Sequence, residues 1–457
     1  MIVMKFGGTS VESAAALERI SGIVASRRSR RPIVVVSAMG KTTDRLLTIA
    51  RAAVHGDSEV ALRLLEELRA FHVEHARAVC PDKKLGELRA FLDEHFHELT
   101  ALVKGLVVLG ELTPRSIDAI SAFGERLSSY IVSLAFQSQG MDSVRVDSRD
   151  VMVTDGRHTA AAPQLELTQQ RLQAHVAPLV AEGKVVVMGG FIASSEDGAT
   201  TTLGRGGSDY SASLIGALLD AEEVEIWTDV DGVMTADPSM VEDAHRIRVM
   251  TFAEAAELAY FGARVLHPST MAPAVEKNIP IRVLNSRRPE VEGTEIVLES
   301  KTSETIIKSI AYKEHITVVD IRSTRMLMAH GFLARIFDVF EKYETAVDMV
   351  ATSEVSVSLT VDRTDRLDQI VAELGGVAEV SRRNGQAIVC VVGEGIRHTR
   401  GVSAKIFSAL ADIQIGMIAL GASRLNVTFV VEESDLEEVV RRLHQTFFST
   451  VDPAVFA

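Results

Sequence analysis

Thr200-Thr201-Thr202-Leu203-Gly204-Arg205-Gly206-Gly207-Ser208-Asp209-Tyr210-Ser211 lies between a strand-like apolar run, Val185 to Met188, and a helix-like run, Tyr210 to Leu219. Its glycines allow close backbone approach and positive φ. The spacing predicts strand, loop and helix, with Ser208 and Asp209 at the N-cap and first turn. Free N–H groups and the positive end of the helix dipole make such a junction an anion site. Arg205 adds a cation, and Asp209 adds a carboxylate for metal or proton work. A glycine-rich strand-to-helix loop by itself is equally an ordinary connection, so the rest of the chain decides.

Outward from that loop, strands and helices alternate. Ile2 to Met4 reads as a buried strand ending at Lys5, followed by the turn Gly7-Gly8 and a capping-box pattern, Thr9-Ser10-Val11-Glu12. A second strand, Ile33 to Val36, ends at Ser37. Both deliver polar groups at their carboxyl ends, the ligand side of an open parallel sheet. Gly40-Lys41-Thr42-Thr43 is not a P-loop, because that motif needs a glycine where Val35 stands. Asp44 to Leu109 is helical with a break at Pro81. His72, His75, His95 and His97 within it lack His-Glu-x-x-His framing and read as helix residues, not metal ligands. A further helix carries Phe123-Gly124-Glu125-Arg126-Leu127. Strands are expected at Val144 to Asp147, Val185 to Met188, Val224 to Asp229 and Pro280 to Leu284, and helices at Leu165 to Leu179 and Phe252 to Phe261. This alternation predicts a three-layer αβα domain of the α/β class with a mainly parallel sheet.

A charged, turn-rich run, Arg287-Arg288-Pro289-Glu290, marks a boundary near residue 295. Beyond it residues 331–362 align without gaps on residues 401–432, Gly331, Ile336, Phe337 and Ser353 recurring as Gly401, Ile406, Phe407 and Ser423. Each copy reads helix, strand, turn, strand, helix. With first strands drawn from Ile306 to Tyr312, His315 to Ile321 and Ala387 to Val392, the copies become two ferredoxin-like βαββαβ domains. The expected division is residues 1–295, then 314–385, then a discontinuous domain of 305–313 plus 386–450. Small βαββαβ domains expose sheet edges that need covering, so a homodimer through them is expected, with further pairing to a tetramer open.

The chain has 457 residues, 48 basic against 62 acidic, for a formal charge of −14. That balance argues against nucleic-acid and anionic-membrane partners. No apolar run approaches the roughly 20 residues that span a bilayer, and the amino terminus reads as a strand, not a signal peptide. Cys80 and Cys390, the two cysteines, form no framework. The expectation is a soluble protein of the reducing cytoplasm.

Lys5 beside Gly7-Gly8 can set an ammonium on a phosphoryl group that backbone N–H groups also approach. With Gly206, Gly207 and Arg205 in the second loop, this points to phosphoryl transfer, which needs positioned cations and donors more than a covalent nucleophile. Lys5-Phe6-Gly7-Gly8-Thr9-Ser10 resembles the signature of aspartate kinases, in the amino-acid kinase superfamily. Gly124-Glu125, Gly190-Phe191-Ile192, Thr200 to Tyr210, Trp227-Thr228-Asp229 and Phe261-Gly262-Ala263-Arg264-Val265-Leu266-His267-Pro268 continue the resemblance in order. The paired repeats resemble ACT domains, the effector-binding modules of that family.

The resemblance implies ATP-dependent phosphorylation of the L-aspartate β-carboxylate to 4-phospho-L-aspartate, at the head of lysine, threonine and methionine synthesis. It makes Lys5 and Asp209 catalytic, Lys5 stabilising the transferring group and Asp209 orienting groups or assisting proton removal. Gly7, Gly8, Gly206 and Gly207 become the phosphate loops. Ser37, Thr43, Glu125, Phe191, Arg205 and Ser208 become the aspartate site, with Arg205 on a carboxylate and Glu125 on the α-ammonium. Lys5, Thr228, Asp229, Met234, Ser239 and Arg264 become the ATP site. Relatives often carry Tyr, Arg and Lys at the last three positions, and Arg264 changes hydrogen-bond geometry. Mg²⁺ accompanies ATP with no ligand set from protein alone. Met326, Phe332, Leu333, Val347, Asp348, Thr352, Ser353 and Glu354 resemble the effector pocket of the lysine-sensitive type, with Ala329 replacing a serine. Lysine is the favoured inhibitor and threonine its competitor. The alternatives are a kinase of N-acetylglutamate or glutamate, and a catalytically dead amino-acid sensor. A dinucleotide-dependent dehydrogenase fails for want of Gly-x-Gly-x-x-Gly after the first strand.

Overall fold

The run Ile2–Phe6 is buried along its whole length, as a strand covered on both faces must be. In the computed structural model it lies between Pro32–Val36 and Glu223–Thr228, parallel to both. The model describes residues 1–261, 268–299, 306–323, 331–421 and 423–457. They fall into two compact units, Met1–Gly232 with Val265–Glu299, and Val233–Arg264 with Ser300–Ala457.

In the first unit the strands run in the order Ser143–Val146, Val185–Gly189, Pro32–Val36, Ile2–Phe6, Glu223–Thr228, Ile281–Asn285, Thr294–Val297. All pair in parallel except the last, which is antiparallel. Because side chains alternate along a strand, Ile2, Met4, Phe6, Val34, Val36 and Trp227 share one core with the helices Ala14–Ser26, Thr42–Val54, Ser58–Val79, Leu85–Leu109 and Phe123–Ser138. Val3 and Val224 instead meet Gly216 of the helix Gly207–Leu218. Lys5 is in phase with Val3, so it emerges toward the helix that carries Asp209. The chain order reverses beside Ile2–Phe6, which opens a crevice at the carboxyl ends of the strands.

Local expectations needed three corrections. Thr9 does not cap the first long helix. That helix begins at Ala14, and Ser13 accepts the Ala16 N–H at 3.2 Å. Gly8–Ser10 forms a separate 3-10 turn, held because Ser10 Oγ bonds Ser286 Oγ at 2.8 Å and the Gly8 carbonyl accepts the Gly40 N–H at 3.0 Å. Ser208 is not an N-cap either. Gly206 occupies that position at φ +71°, a conformation costly for any residue with a Cβ, and Ser208 and Asp209 sit in the first turn. Thirdly, the two strands expected before the first repeat are one, Ser309–Arg322. Its register shifts between Lys313 and Val318, and a bulge of this kind lets one strand serve two pairings.

In the second unit one antiparallel sheet runs in the order Val350–Thr352, Ser356–Val361, Ser309–Arg322, Glu379–Val392, Asn426–Glu432, Ile415–Leu420. The fold is ferredoxin-like twice over, with the two long strands shared. Helices Phe332–Lys342 and Leu367–Leu374 cover the first repeat around Val319, Ile336, Phe340 and Leu359. Val402–Ser408 and Leu436–Phe448 are their counterparts in the second.

Candidate functional site

At the carboxyl ends of the parallel strands lies a cleft of about 330 Å³. It is lined by Lys5, Gly8, Ser37, Ala38, Gly40, Thr43, Glu125, Phe191, Gly204 and Gly206 through Asp209. Lys5 Nζ pairs with Asp209 Oδ1 at 2.7 Å, both side chains being largely covered. Gly7 stands next to that ammonium, and its N–H donates to the Trp227 carbonyl at 3.2 Å. A cation thus faces the cleft beside a backbone bare of side chains.

Glu125 projects from the first turn of Phe123–Ser138 and is 3 % exposed. Its Oε1 accepts the Ala38 N–H at 3.0 Å. Its Oε2 is buried with no hydrogen-bond partner among the described residues. Burial pushes the carboxyl up to about 8, against the pull of the Ala38 N–H. A buried carboxylate lacking one partner is costly in isolation and suited to a ligand that brings its own ammonium.

Gly190 and Phe191 brace the glycine-rich loop. A Cβ on Gly190 would come within 2.7 Å of Ser208 Cα, so this position sets how closely the helix Gly207–Leu218 approaches the sheet. Phe191 is held at φ +66°, a strained conformation for an aromatic residue. Its N–H donates to Ser211 Oγ, and its carbonyl accepts the Leu203 N–H, each at 2.9 Å. Gly190→Ala should therefore displace the Ser208 backbone and lower kcat/KM at least tenfold, an effect of about 1.4 kcal/mol or more, in steady-state kinetics.

The remaining expected residues are placed as follows. Arg205 is exposed on the loop and does not line the cleft. Thr228 is half-buried and Asp229 exposed at the end of Glu223–Thr228, with Thr228 Oγ1 3.2 Å from Asp229 Oδ1. Ser286 ties this strand end to the Gly7-Gly8 turn, its Oγ meeting both the Thr228 carbonyl (3.0 Å) and Ser10 Oγ (2.8 Å). Met234 and Ser239 belong to the second unit. Met234 bridges to Arg246, and Ser239 donates to Asp237 Oδ1 from both its amide and its hydroxyl. Arg264 lies outside the described residues. His72 and His95 are core histidines bonded to the Leu68 and Phe91 carbonyls.

For the effector residues, Met326 and Ala329 also lie outside the described residues. Phe332 packs in the core while Leu333 is exposed. Val347 packs on that core, and Thr352 ends an edge strand. Ser353 bonds Ser356 across a hairpin, with Glu354 exposed at the turn. Asp348, 5 % exposed, already pairs with Lys313 Nζ at 2.7 Å, and the same ammonium reaches Asp362 at 2.8 Å. Burial pushes the Asp348 carboxyl up against the pull of Lys313. Sequence reasoning missed Lys313, because its partners lie 35 and more residues away. It also missed Asp118, which reads as an ordinary helix acid.

Residues 1–285 match the amino acid kinase family, and residues 389–447 match an ACT domain. The chain is 38 % identical to Aspartokinase 1, chloroplastic, of Arabidopsis thaliana, over 98 % of this chain and 80 % of that protein. It is 34 % identical to Lysine-sensitive aspartokinase 3 of Escherichia coli, over 98 % and 99 %. Among solved structures, E. coli aspartokinase III in complex with lysine and aspartate (T-state) superposes with a TM-score of 0.83 at 34 % identity, covering 98 % of this chain and 99 % of that one. The complex of the same enzyme with aspartate and ADP (R-state) gives the same score and identity, covering 98 % and 100 %.

Proposed function

Because the chain belongs to the amino acid kinase family, as an aspartate kinase with ACT domains, we propose the following division of labour for the transfer of the ATP γ-phosphoryl group to the β-carboxylate of L-aspartate. The carrying observation is the cleft that joins the Lys5–Asp209 pair to the orphan oxygen of Glu125. A β-carboxylate oxygen forms the bond to phosphorus as the bond to the bridging oxygen of ADP breaks. The aspartate carboxylate is already ionised at neutral pH, so the step needs no base. Asp209 then serves to hold Lys5, whose ammonium meets the charge on the transferring group. The amides of Gly8 and Gly206 supply further donors, while Gly7 and Gly207, whose own N–H groups go to the Trp227 and Gly204 carbonyls, let the phosphates approach the backbone closely. Glu125 takes the α-ammonium, while Ser37, Thr43, Phe191 and Ser208 shape the pocket. Arg205 folds over the substrate carboxylate from the loop.

Thr228 and Asp229 are assigned to the nucleoside side of ATP. Mg²⁺ would arrive with the nucleotide. Among the described residues no three His, Cys, Asp or Glu side chains converge, and Asp209 is engaged with Lys5. Mg²⁺ supplies charge neutralisation on the phosphates.

The catalytic domain spans 1–295 and the regulatory part is the two ACT repeats, 314–385 and 305–313 plus 386–450, with lysine as the inhibitor. The kinship to a lysine-sensitive enzyme and the burial of Asp348 support this. Exposed Leu333, Phe337 and Val350, the last on an edge strand, support a homodimer through the ACT repeats. Lysine acts through a coupling free energy between effector and substrate sites. Asp348→Ala should bring the ratio of uninhibited to lysine-inhibited rates close to one. Parent and variant responding alike to lysine would sink the effector assignment.

Steady-state ADP release with ATP, Mg²⁺ and aspartate, against glutamate and N-acetylglutamate, tests the whole reading. Turnover with either of the latter and none with aspartate overturns it. Adding lysine or threonine to the same assay identifies the effector.

A further inference from the structure

Asp118 is fully buried, on the helix Pro114–Ser121, and it does not line the cleft. Its carboxylate nevertheless collects donors from two other segments. Thr202 Oγ1 donates to Oδ1 at 2.6 Å. The Thr159 N–H reaches both oxygens, at 3.1 and 3.0 Å, and His158 Nδ1 lies 2.8 Å from Oδ2. A carboxylate with no exposure is tolerated only when its oxygens are satisfied, and charge-assisted bonds of this kind are the stronger class.

Both segments held by Asp118 touch the glycine-rich loop. Thr202 is the last residue of the strand Thr200–Thr202, directly before Leu203 and Gly204. Its carbonyl accepts the Ala161 N–H at 2.9 Å, joining the two segments again. Thr159 sits at φ +70°, and its carbonyl faces Gly204 so closely that a Cβ there would stand 3.1 Å away. The left-handed Thr159 is unfavourable by itself, and the paired N–H bonds to Asp118 offset that cost. On its other side the loop is bounded by Phe191, through the Leu203 N–H. The loop that carries Arg205 and leads into the helix turn with Ser208 and Asp209 is thus held between a sheet-side brace and an Asp118-side brace.

We propose that Asp118 is a positioning residue: acting through Thr202 and Thr159, it fixes the glycine-rich loop in the form that receives the amino-acid substrate. This rests on reading that loop as the aspartate wall of the cleft. Asp118 touches no reacting atom, and its brace acts at Thr202 and at Thr159 against Gly204, so its loss is expected to weigh more on the amino-acid substrate than on ATP, whose phosphates also meet the Gly7-Gly8 turn.

The test uses the full-length chain with Asp118→Asn, Thr202→Val and Thr202→Ser. Asp118→Asn should raise the KM for aspartate about tenfold or more while the KM for ATP stays within about twofold. Thr202→Val should show the same split to a smaller degree, and Thr202→Ser, which keeps the hydroxyl, should match the parent. A readout independent of catalysis is limited trypsin cleavage after Arg205, which is exposed on the loop. Its rate should rise severalfold in Asp118→Asn relative to cleavage at other sites. Unchanged cleavage at Arg205, a uniform rise at all sites, or an equal rise in both KM values overturns the proposal. If Asp118→Asn does not fold, identical behaviour of Thr202→Val and Thr202→Ser overturns it. A parent that releases no ADP with aspartate refutes the functional reading instead, and the cleavage comparison still decides the positioning role.

Discussion

Lys5→Met is expected to lower kcat about a thousandfold, equivalent to roughly 4 kcal/mol of transition-state stabilisation, with a much smaller change in the KM for aspartate. The substitution keeps the length and the buried stem of the side chain and removes the charge alone. Two losses combine. On the proposed role of Lys5 the transferring phosphoryl group would lose its fixed ammonium, and Asp209, 2.7 Å away in the parent, would be left as a largely covered carboxylate without its counter-ion. Lys5→Arg should not rescue, because a planar guanidinium cannot reproduce a compact point charge in the space beside Gly7, whose added Cβ would lie 3.6 Å from Lys5 Nζ. Retention of more than a tenth of the parent kcat in Lys5→Met would remove Lys5 from the chemical step. Rapid-quench measurement of phosphoryl transfer separates that step from product release.

Glu125→Gln has the second large effect, and its sign depends on what is measured. In the free protein burial holds the Glu125 carboxyl up at about 8. Only the ionised form offers a counter-charge to the substrate ammonium. For the parent, kcat/KM for aspartate should therefore climb as pH rises toward about 8 and then level. The glutamine variant should lose that climb and raise the KM for aspartate by about 10- to 100-fold, the loss of one charged hydrogen bond at roughly 1.5–3 kcal/mol. Stability moves the other way. The unfolded carboxyl titrates near its ordinary value of 4.5 and the folded one near 8. Between those values the folded state binds more protons than the unfolded state, so stability falls as pH rises through the window. Glu125→Gln carries no such proton. The difference in Tm, variant minus parent, should grow from about pH 5 to about pH 9. Scanning calorimetry at both pH values checks it, and a Tm difference independent of pH would show that Glu125 is not the buried acid assigned here.

Much of the architecture was legible because it rests on short-range patterns. Ile2–Phe6, Pro32–Val36 and Val185–Gly189 are buried on both faces and apolar but for Lys5, and strands of that type separated by helices lead to a parallel sheet. The repeat at 331–362 and 401–432 announced two similar halves by self-similarity. Helix starts were less legible. Thr9-x-x-Glu12 has the letters of a capping box, yet Ser10 is drawn to Ser286, 276 residues away, and the helix starts later, at Ala14 behind its cap Ser13. The strands at 306–312 and 315–321 looked separate because Glu314 and His315 are polar, while in the folded chain His315 takes φ +60° inside one irregular strand.

By itself the sequence determined the fold class and the kinds of group that meet at the ends of the strands: a lysine before a glycine pair, a glycine-rich turn before an aspartate, a glutamate on a helix. Those follow from period, turn chemistry and order along the chain. Only the tertiary structure decided that Lys5 and Asp209 form a pair, that Glu125 loses its solvent and keeps one oxygen unpartnered, that Lys313 stands on Asp348, and that Asp118 braces the loop from behind. The physical reason is common to all four. Desolvation and charge pairing depend on which distant segments are packed against a group, and local sequence carries no information about that distance.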